Sequence, residues 1–340
     1  MDNLTHTLFG AALGHAGLKR LTGLAMPALM IAANIPDVDV MAAPFGHGLT
    51  GRRGWTHGPI GVLVLPAVLA VCLLLFDQWQ QRRGRRPSTR PPVRPAQLLL
   101  LCYIGALSHP LLDLMNTWGI RLLMPFSERW FYGDALFIID PWIWLALGGG
   151  IWLARRGHMG TVGHRSGAAI VALTAVSFYI GAMVLGSRVA EAKAARAFQE
   201  LGLGEADQVT AIPVFADPFR RGIVVQTGDY YAFGEARWLP TPQLELDPEL
   251  VFNGMRDPAI GRAAGSDRQV SDFLYWSRYP LAGVTRDASA TTVTLGDARF
   301  GRTPEAGLIG VRSTLPVPDG NASHPASGCG RPDRSPVGAR

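Results

Sequence analysis

The residues best suited to chemistry in this 340-residue chain are three histidines and four aspartates at the ends of apolar runs: His6, Asp37, Asp39, His57, His109, Asp113 and Asp140. Neutral imidazoles and carboxylates form the ligand set of zinc, manganese or iron, and such an ion can activate water for hydrolysis. The most telling pair lies in Ser108-His109-Pro110-Leu111-Leu112-Asp113, after the apolar run 96–107. Residues four apart share one face of a helix. At membrane depth both groups are costly, so each needs a partner or a job. Pro110 complicates this geometry. It predicts either a kink at His109 or a helix that ends near Leu107 and restarts at Pro110.

The elements that must position these residues belong in a membrane. The chain is 48% hydrophobic and only 17% charged, where soluble domains carry about a quarter charged residues. Its three cysteines include no CxxC pair, which argues against a disulfide framework and a thiolate zinc site. Arginines cluster at 82–94 between two apolar runs. That placement reads as a membrane-flanking loop, so no nucleic-acid partner is expected. The N-terminus has no positive charge before Lys19 and does not read as a secretory signal.

Two apolar runs, 5–18 and 21–33, are each long enough for only about 21 Å of helix, short of a span of ~30 Å. They read as a short helical hairpin turning at Lys19-Arg20. Longer apolar runs follow at 59–76, 96–114, 136–154 and 167–186. Lys19-Arg20, 77–95 and 155–165 together carry eleven Lys or Arg, against four in the loops 35–58 and 115–135. The positive-inside rule then places those two loops and the N-terminus outside, with six crossings. On this topology all seven candidate residues fall at the outer face.

Beyond Arg188 the character changes. An amphipathic stretch (189–201) leads to strand-like runs at 209–215, 222–233, 273–279 and 291–295. The expected fold class is an all-α multi-span membrane domain of about five or six helices, then a small β-rich α+β soluble domain. The expected divisions are 1–187, an extracytoplasmic 188–315, and a disordered tail at 316–340 rich in Pro, Gly, Ser and Arg.

Several of these residues also have a plain structural reading. Asp37 and Asp39 suit a helix end and turn. His57 suits a cap in an interfacial loop. Asp140, followed by Pro141, suits an N-cap. His15, His47, His158, His164 and His324 read as structural or solvated. Trp55, Trp118, Trp130 and Trp142 suit an aromatic belt that anchors without touching substrate.

Four segments in order, Asp2-Asn3-Leu4-Thr5-His6-Thr7, Asn34-Ile35-Pro36-Asp37-Val38-Asp39, Arg53-Gly54-Trp55-Thr56-His57 and Ser108-His109-Pro110-Leu111-Leu112-Asp113, together resemble the bacterial inner-membrane proteins predicted to be metal-dependent hydrolases (YdjM-like). The resemblance covers residues 1–150, and Pro110 departs from the leucine-like residue expected after the histidine. It implies a multi-span protein with a His/Asp metal site. The resulting expectation is a membrane-bound hydrolase holding one or two divalent ions, zinc before manganese or iron, on His6, Asp37, Asp39, His57, His109 and Asp113. Asp39 or Asp140 would serve as general base. Arg53, ahead of Arg121, would hold a phosphate or a developing negative charge. The location favours membrane lipids as partners and a lipid or lipid-linked (phospho)ester as substrate. The competing readings are an ion or metal transporter, which needs polar groups across the whole bilayer, and a membrane-anchored sensor or scaffold. Oligomeric state is left open.

Overall fold

The computed structural model describes residues 1–45, 51–156, 162–307 and 309–316. His47, His158, His324 and the tail from 317 lie outside the described residues.

The first two apolar runs form the short hairpin expected of them. Helix α1 (Asn3–His15) is capped by Asp2, whose carboxylate accepts from the Leu4 and Thr5 amides, both at 3.0 Å. A 3₁₀ turn at Leu18–Arg20 leads to α2 (Ala25–Ala32). Helix α2 is eight residues long and packs against α1 and α4 (Pro95–Leu114), burying Ala25, Ala28, Leu29 and Ala32. Glycines make that close packing possible. A Cβ at Gly10 would stand 2.7 Å from the Leu29 carbonyl oxygen, and one at Gly105 would stand 2.8 Å from the same atom. Gly105→Leu is therefore expected to force α2 and α4 apart and destabilise the protein by about 1–3 kcal/mol or more. A fall in the thermal unfolding midpoint of detergent-purified protein would show this.

Among the described residues, three helices are long and apolar enough to cross a membrane: α3 (Pro59–Arg82), α4, and α6 (Val162–Glu200, read from Ser166). Helix α5 (Pro141–Arg156) has 16 residues, about 24 Å of helix, so the expected span at 136–154 is shorter than proposed. Helix α4 runs unbroken through Pro110. The end near Leu107 and restart at Pro110 do not occur, and His109 and Asp113 lie one turn apart on the same helix.

Helix α6 has 39 residues and does not stop at the expected boundary at 187/188. Its membrane-type portion and the amphipathic stretch are one helix. Ala190, Ala194 and Phe198, at helical spacing and fully buried, pack on Ala211, Ile223, Val225 and Ala232 of a sheet. That sheet is antiparallel, ordered β1 (Gln208–Val214), β2 (Asp217–Thr227), β3 (Tyr230–Arg237), β4 (Gln243–Leu246), with β5 (Val251–Phe252) also pairing with β3. Helices α7 (Pro258–Ser266) and α8 (Arg268–Trp276) follow. They cover a second antiparallel sheet of β6 (Pro280–Arg286), β7 (Ala290–Asp297) and β8 (Gly310–Pro316). The expected strand at 273–279 is instead largely the end of α8. Asp267 caps that helix through the Gln269 amide, and Val270, Phe273 and Trp276 bury one helical face.

The loop 115–137 joins the two regions. Its Thr117 carbonyl accepts from Arg299 at 2.6 Å, and its Trp118 carbonyl accepts from the Trp276 indole at 3.0 Å. Asp134 takes Arg278 at 2.7 Å. Burial pushes the Asp134 carboxyl up from its usual range, and Arg278 partly offsets this.

Candidate metal centre

Four of the expected residues converge in one buried group: Asp37, His57, His109 and Asp113, with one ligand atom from each all within 4.8 Å of one another. They come from the 3₁₀ segment Ile35–Phe45, the loop ahead of α3, and α4. His57 Nε2 and His109 Nε2 are 3.1 Å apart. Asp37 Oδ1 lies 3.8 Å from each, and Asp113 Oδ2 lies 3.7 Å from His57 Nε2 and 3.5 Å from His109 Nε2. Ligand bonds of about 2.0–2.2 Å in a tetrahedral zinc site imply ligand–ligand separations of roughly 3.3–3.6 Å. The group is the right size for one ion.

Proton positions sharpen this. His109 Nδ1 lies 2.7 Å from the Ala33 carbonyl. A carbonyl only accepts, so Nδ1 carries the proton and Nε2 presents a lone pair. His57 Nδ1 lies 2.9 Å from the Thr56 hydroxyl, which in turn lies 3.4 Å from Asp39 Oδ2. With Nδ1–H donating to Thr56 and Thr56 donating to Asp39, His57 Nε2 also presents a lone pair. Two lone pairs facing one another at hydrogen-bond distance repel, and a cation in front of both removes the repulsion. A carboxylate behind a ligating histidine is the usual outer support of a metal site.

The remaining expected residues fall into distinct places. His6 stacks on His109 with ring centroids 3.8 Å apart, and its Nε2 is 3.3 Å from Asp113 Oδ1. Both its ring nitrogens are buried without a hydrogen-bond partner. Asp39 stands behind His57 and outside the four, accepting from the Arg53 amide at 2.6 Å and lying 3.4 Å from Arg52 Nε. The hydrogen bonds of Asp140 go elsewhere. One oxygen caps α5 through the Trp142 and Ile143 amides, and the other takes the Tyr179 hydroxyl at 2.9 Å. Asp140 is thus a cap, the usual chemistry of Asp before Pro at a helix start, and is not among the four residues that converge.

Arg53 is buried against Asp113, with Nε 3.1 Å from Oδ2, and its Nη1 donates to Asn116 at 2.9 Å and to the Gly119 carbonyl at 3.2 Å. These partners hold it as a buried counter-charge to Asp113. Its backbone has φ +52°, a strained conformation for a non-glycine residue. The Asp39 carboxylate on its amide and the Arg121 amide on its carbonyl, at 3.0 Å, hold it there. Arg121 itself reaches the Arg52 carbonyl at 3.0 Å and the Tyr275 hydroxyl at 3.3 Å. The α-amino group of Met1 also contacts Asp113.

Electrostatics outside the spanning helices suit a metal site. Burial, then His109 and Arg53, pull the His57 imidazole well below its usual range, so it is neutral and able to ligate. Burial pushes the Asp39 carboxyl up, and Arg52 opposes that rise. Burial lowers the Arg53 guanidinium to about 10, which leaves it cationic at neutral pH.

Sequence reasoning missed Arg52, Thr56 and Asn116. Two left a readable signal: Thr56 adjoins His57, and Asn116 is three residues after Asp113. Arg52 was visible only as a loop cation, yet it lies 3.3 Å from Asp37 Oδ1.

A family model described as YdjM inner membrane protein matches residues 1–190. The uncharacterized protein YfhP of Bacillus subtilis (strain 168) is 25% identical over 156 residues, 43% of this chain and 44% of that protein. The chain thus spans less than half the length of that relative. No solved structure matches. With the matched segment holding every member of the His/Asp group and two of the three candidate spans whole, the chain belongs to the YdjM inner membrane protein family.

Proposed function

We propose that the protein is a membrane-bound metal-dependent hydrolase acting at the outer membrane–water interface on a lipid or lipid-linked ester or phosphoester. The observation that carries this reading is the pair of imidazole Nε2 atoms 3.1 Å apart between two buried carboxylates. The donor set suits zinc, with manganese or iron as the other fits. Asp37, His57, His109 and Asp113 would hold the ion, and His6, with its unpartnered nitrogens, adjoins it. A bound ion supplies Lewis acidity and brings the pKa of a coordinated water to about 7.

The chain's own residues do the rest. The Ala33 carbonyl fixes the His109 tautomer, and a Thr56 hydroxyl turned to Asp39 would select the matching one at His57. Arg53 balances the charge of Asp113. Arg52, whose side chain keeps 28% of its surface exposed, faces Asp37 and Asp39 and is the arginine placed to meet an anionic substrate. An open groove of about 540 Å³ runs along Met30, Ile31, Ile35 and Val38 to Asp37. Its apolar walls suit a hydrocarbon-bearing substrate entering from the bilayer.

Metal analysis of detergent-purified protein tests the proposal. About one ion per wild-type chain is expected, with at least a tenfold loss in His57→Ala and in His109→Ala at unchanged membrane insertion. Wild-type protein without stoichiometric metal after reconstitution would sink it.

A further inference from the structure

The first sheet uses its two faces differently. Ile223 and Val225 pack toward α6. The alternate positions Ile212, Gly222 and Val224, with Phe233, face the other way, as the period of two in a strand requires. On that side they line a cavity of about 390 Å³, closed by Thr117 and Phe137 of the joining loop. The volume is at the small end of the ligand-pocket range.

Two independent features distinguish this cavity from a packing gap. Gly222 sits inside a strand, and a Cβ there would meet nothing nearer than 3.9 Å. A side chain would fit the backbone, so its omission leaves open space. Thr117 is only 5% exposed, and its hydroxyl has no hydrogen-bond partner. A buried polar group in that state costs about 1–3 kcal/mol. The oxygen itself has almost no accessible surface, so a rotation about χ1 that brings it into the cavity against a ligand acceptor regains that cost. Arg299, also in the wall, is already paired with Asp297 at 2.8 Å. The site therefore calls for an apolar body with one hydrogen-bond acceptor.

The mouth says where such a ligand comes from. Phe215 lines the cavity, packs edge-on to Phe137 at 5.5 Å and is half exposed. The neighbouring Ala216 carbonyl accepts from the indole of Trp142, which is also half exposed, on the first turn of α5. Aromatic side chains of this kind gather at membrane boundaries. We propose that the cavity binds one acyl chain, whose carbonyl oxygen accepts from the Thr117 hydroxyl. This site is separate from the His/Asp group and does not depend on the hydrolase reading.

The test uses full-length protein in a cholate-type detergent without alkyl chains, titrated with the fluorescent fatty acid cis-parinaric acid. Saturable binding near one per chain is expected. Affinity should fall at least tenfold in Gly222→Leu and about three- to tenfold in Thr117→Val, with metal content unchanged in both. Displacement by palmitate assigns a free fatty acid. Failure of palmitate to displace, with a diazirine-bearing phospholipid crosslinking to the segment 212–224, assigns the chain of a bilayer lipid. Should Gly222→Leu fail to fold, Ile212→Phe narrows the same space and must also weaken binding. The proposal is overturned if neither probe binds saturably, or if folded Gly222→Leu and Ile212→Phe bind as wild type does.

Discussion

Asp113→Asn is expected to cost the protein its metal and much of its stability, and the two losses can be separated. Asp113 meets Arg53, His6, His57 and His109 inside the protein with no exposed surface. Asparagine keeps the shape and removes the charge. Arg53 then stays buried beside a neutral amide, and breaking one side of a buried ion pair costs about 3–5 kcal/mol. The metal site loses an anionic ligand, so affinity should drop by roughly 100-fold or more. The double variant Asp113→Asn with Arg53→Met removes the stranded cation as well. It should recover most of the thermal stability and none of the metal. Unfolding midpoints and metal content, read on the same preparations, check this. A single variant that keeps full metal occupancy would remove Asp113 from the ligand set.

Arg299→Met is expected to produce the largest purely structural defect. Arg299 is fully buried, pairs with Asp297 through two nitrogens at 2.8 Å, and donates to the Thr117 carbonyl at 2.6 Å. Its guanidinium also lies 4.9 Å from the Trp276 ring centroid. Removing it leaves Asp297 charged and buried, a loss of about 3–5 kcal/mol. The pH dependence has a definite sign. Burial pushes the Asp297 carboxyl up, but Arg299, the Ser277 hydroxyl and backbone amides outweigh burial and hold it below its usual value. A carboxyl depressed in the folded state adds stability that is present above the unfolded pKa of about 3.9 and lost as pH falls through the folded one. Wild-type stability should therefore fall below about pH 4. Arg299→Met should start lower and lose this acid step, as unfolding midpoints measured from pH 3 to 7 would show.

The candidate site was legible where polar residues interrupt apolar sequence. His109 and Asp113 stand out because an apolar helix gives them no cheap alternative, and Asp37 and His57 follow because their segments flank helices. Asp140 stayed ambiguous because an Asp before Pro looks the same whether it caps a helix or serves a site, and its partners Trp142, Ile143 and Tyr179 show the cap. The enclosure of Arg53 was illegible for a related reason. A loop arginine reads as solvent-facing until a distant Asn116 and Gly119 enclose it. In the second region, β1 and β7 were readable from β-branched runs. The aromatic residues 273–279 were not, because Phe273 and Trp276 pack as a helical face fixed by an upstream cap at Asp267. Of the two outcomes Pro110 suggested, the end and restart does not occur: α4 is one helix through it.

The continuity of α6 has a mechanical consequence. A helix accommodates a thinner or thicker bilayer mainly by tilting. Because α6 carries no break between its lipid-type half and the residues Ala190, Ala194 and Phe198 that grip the sheet, it acts as a lever. A tilt of about 10° in the membrane half swings a point roughly 30 Å along the rod by about 5 Å. A tilt of the membrane-type half would therefore carry the sheet with it, because no flexible joint lies between them to absorb the motion.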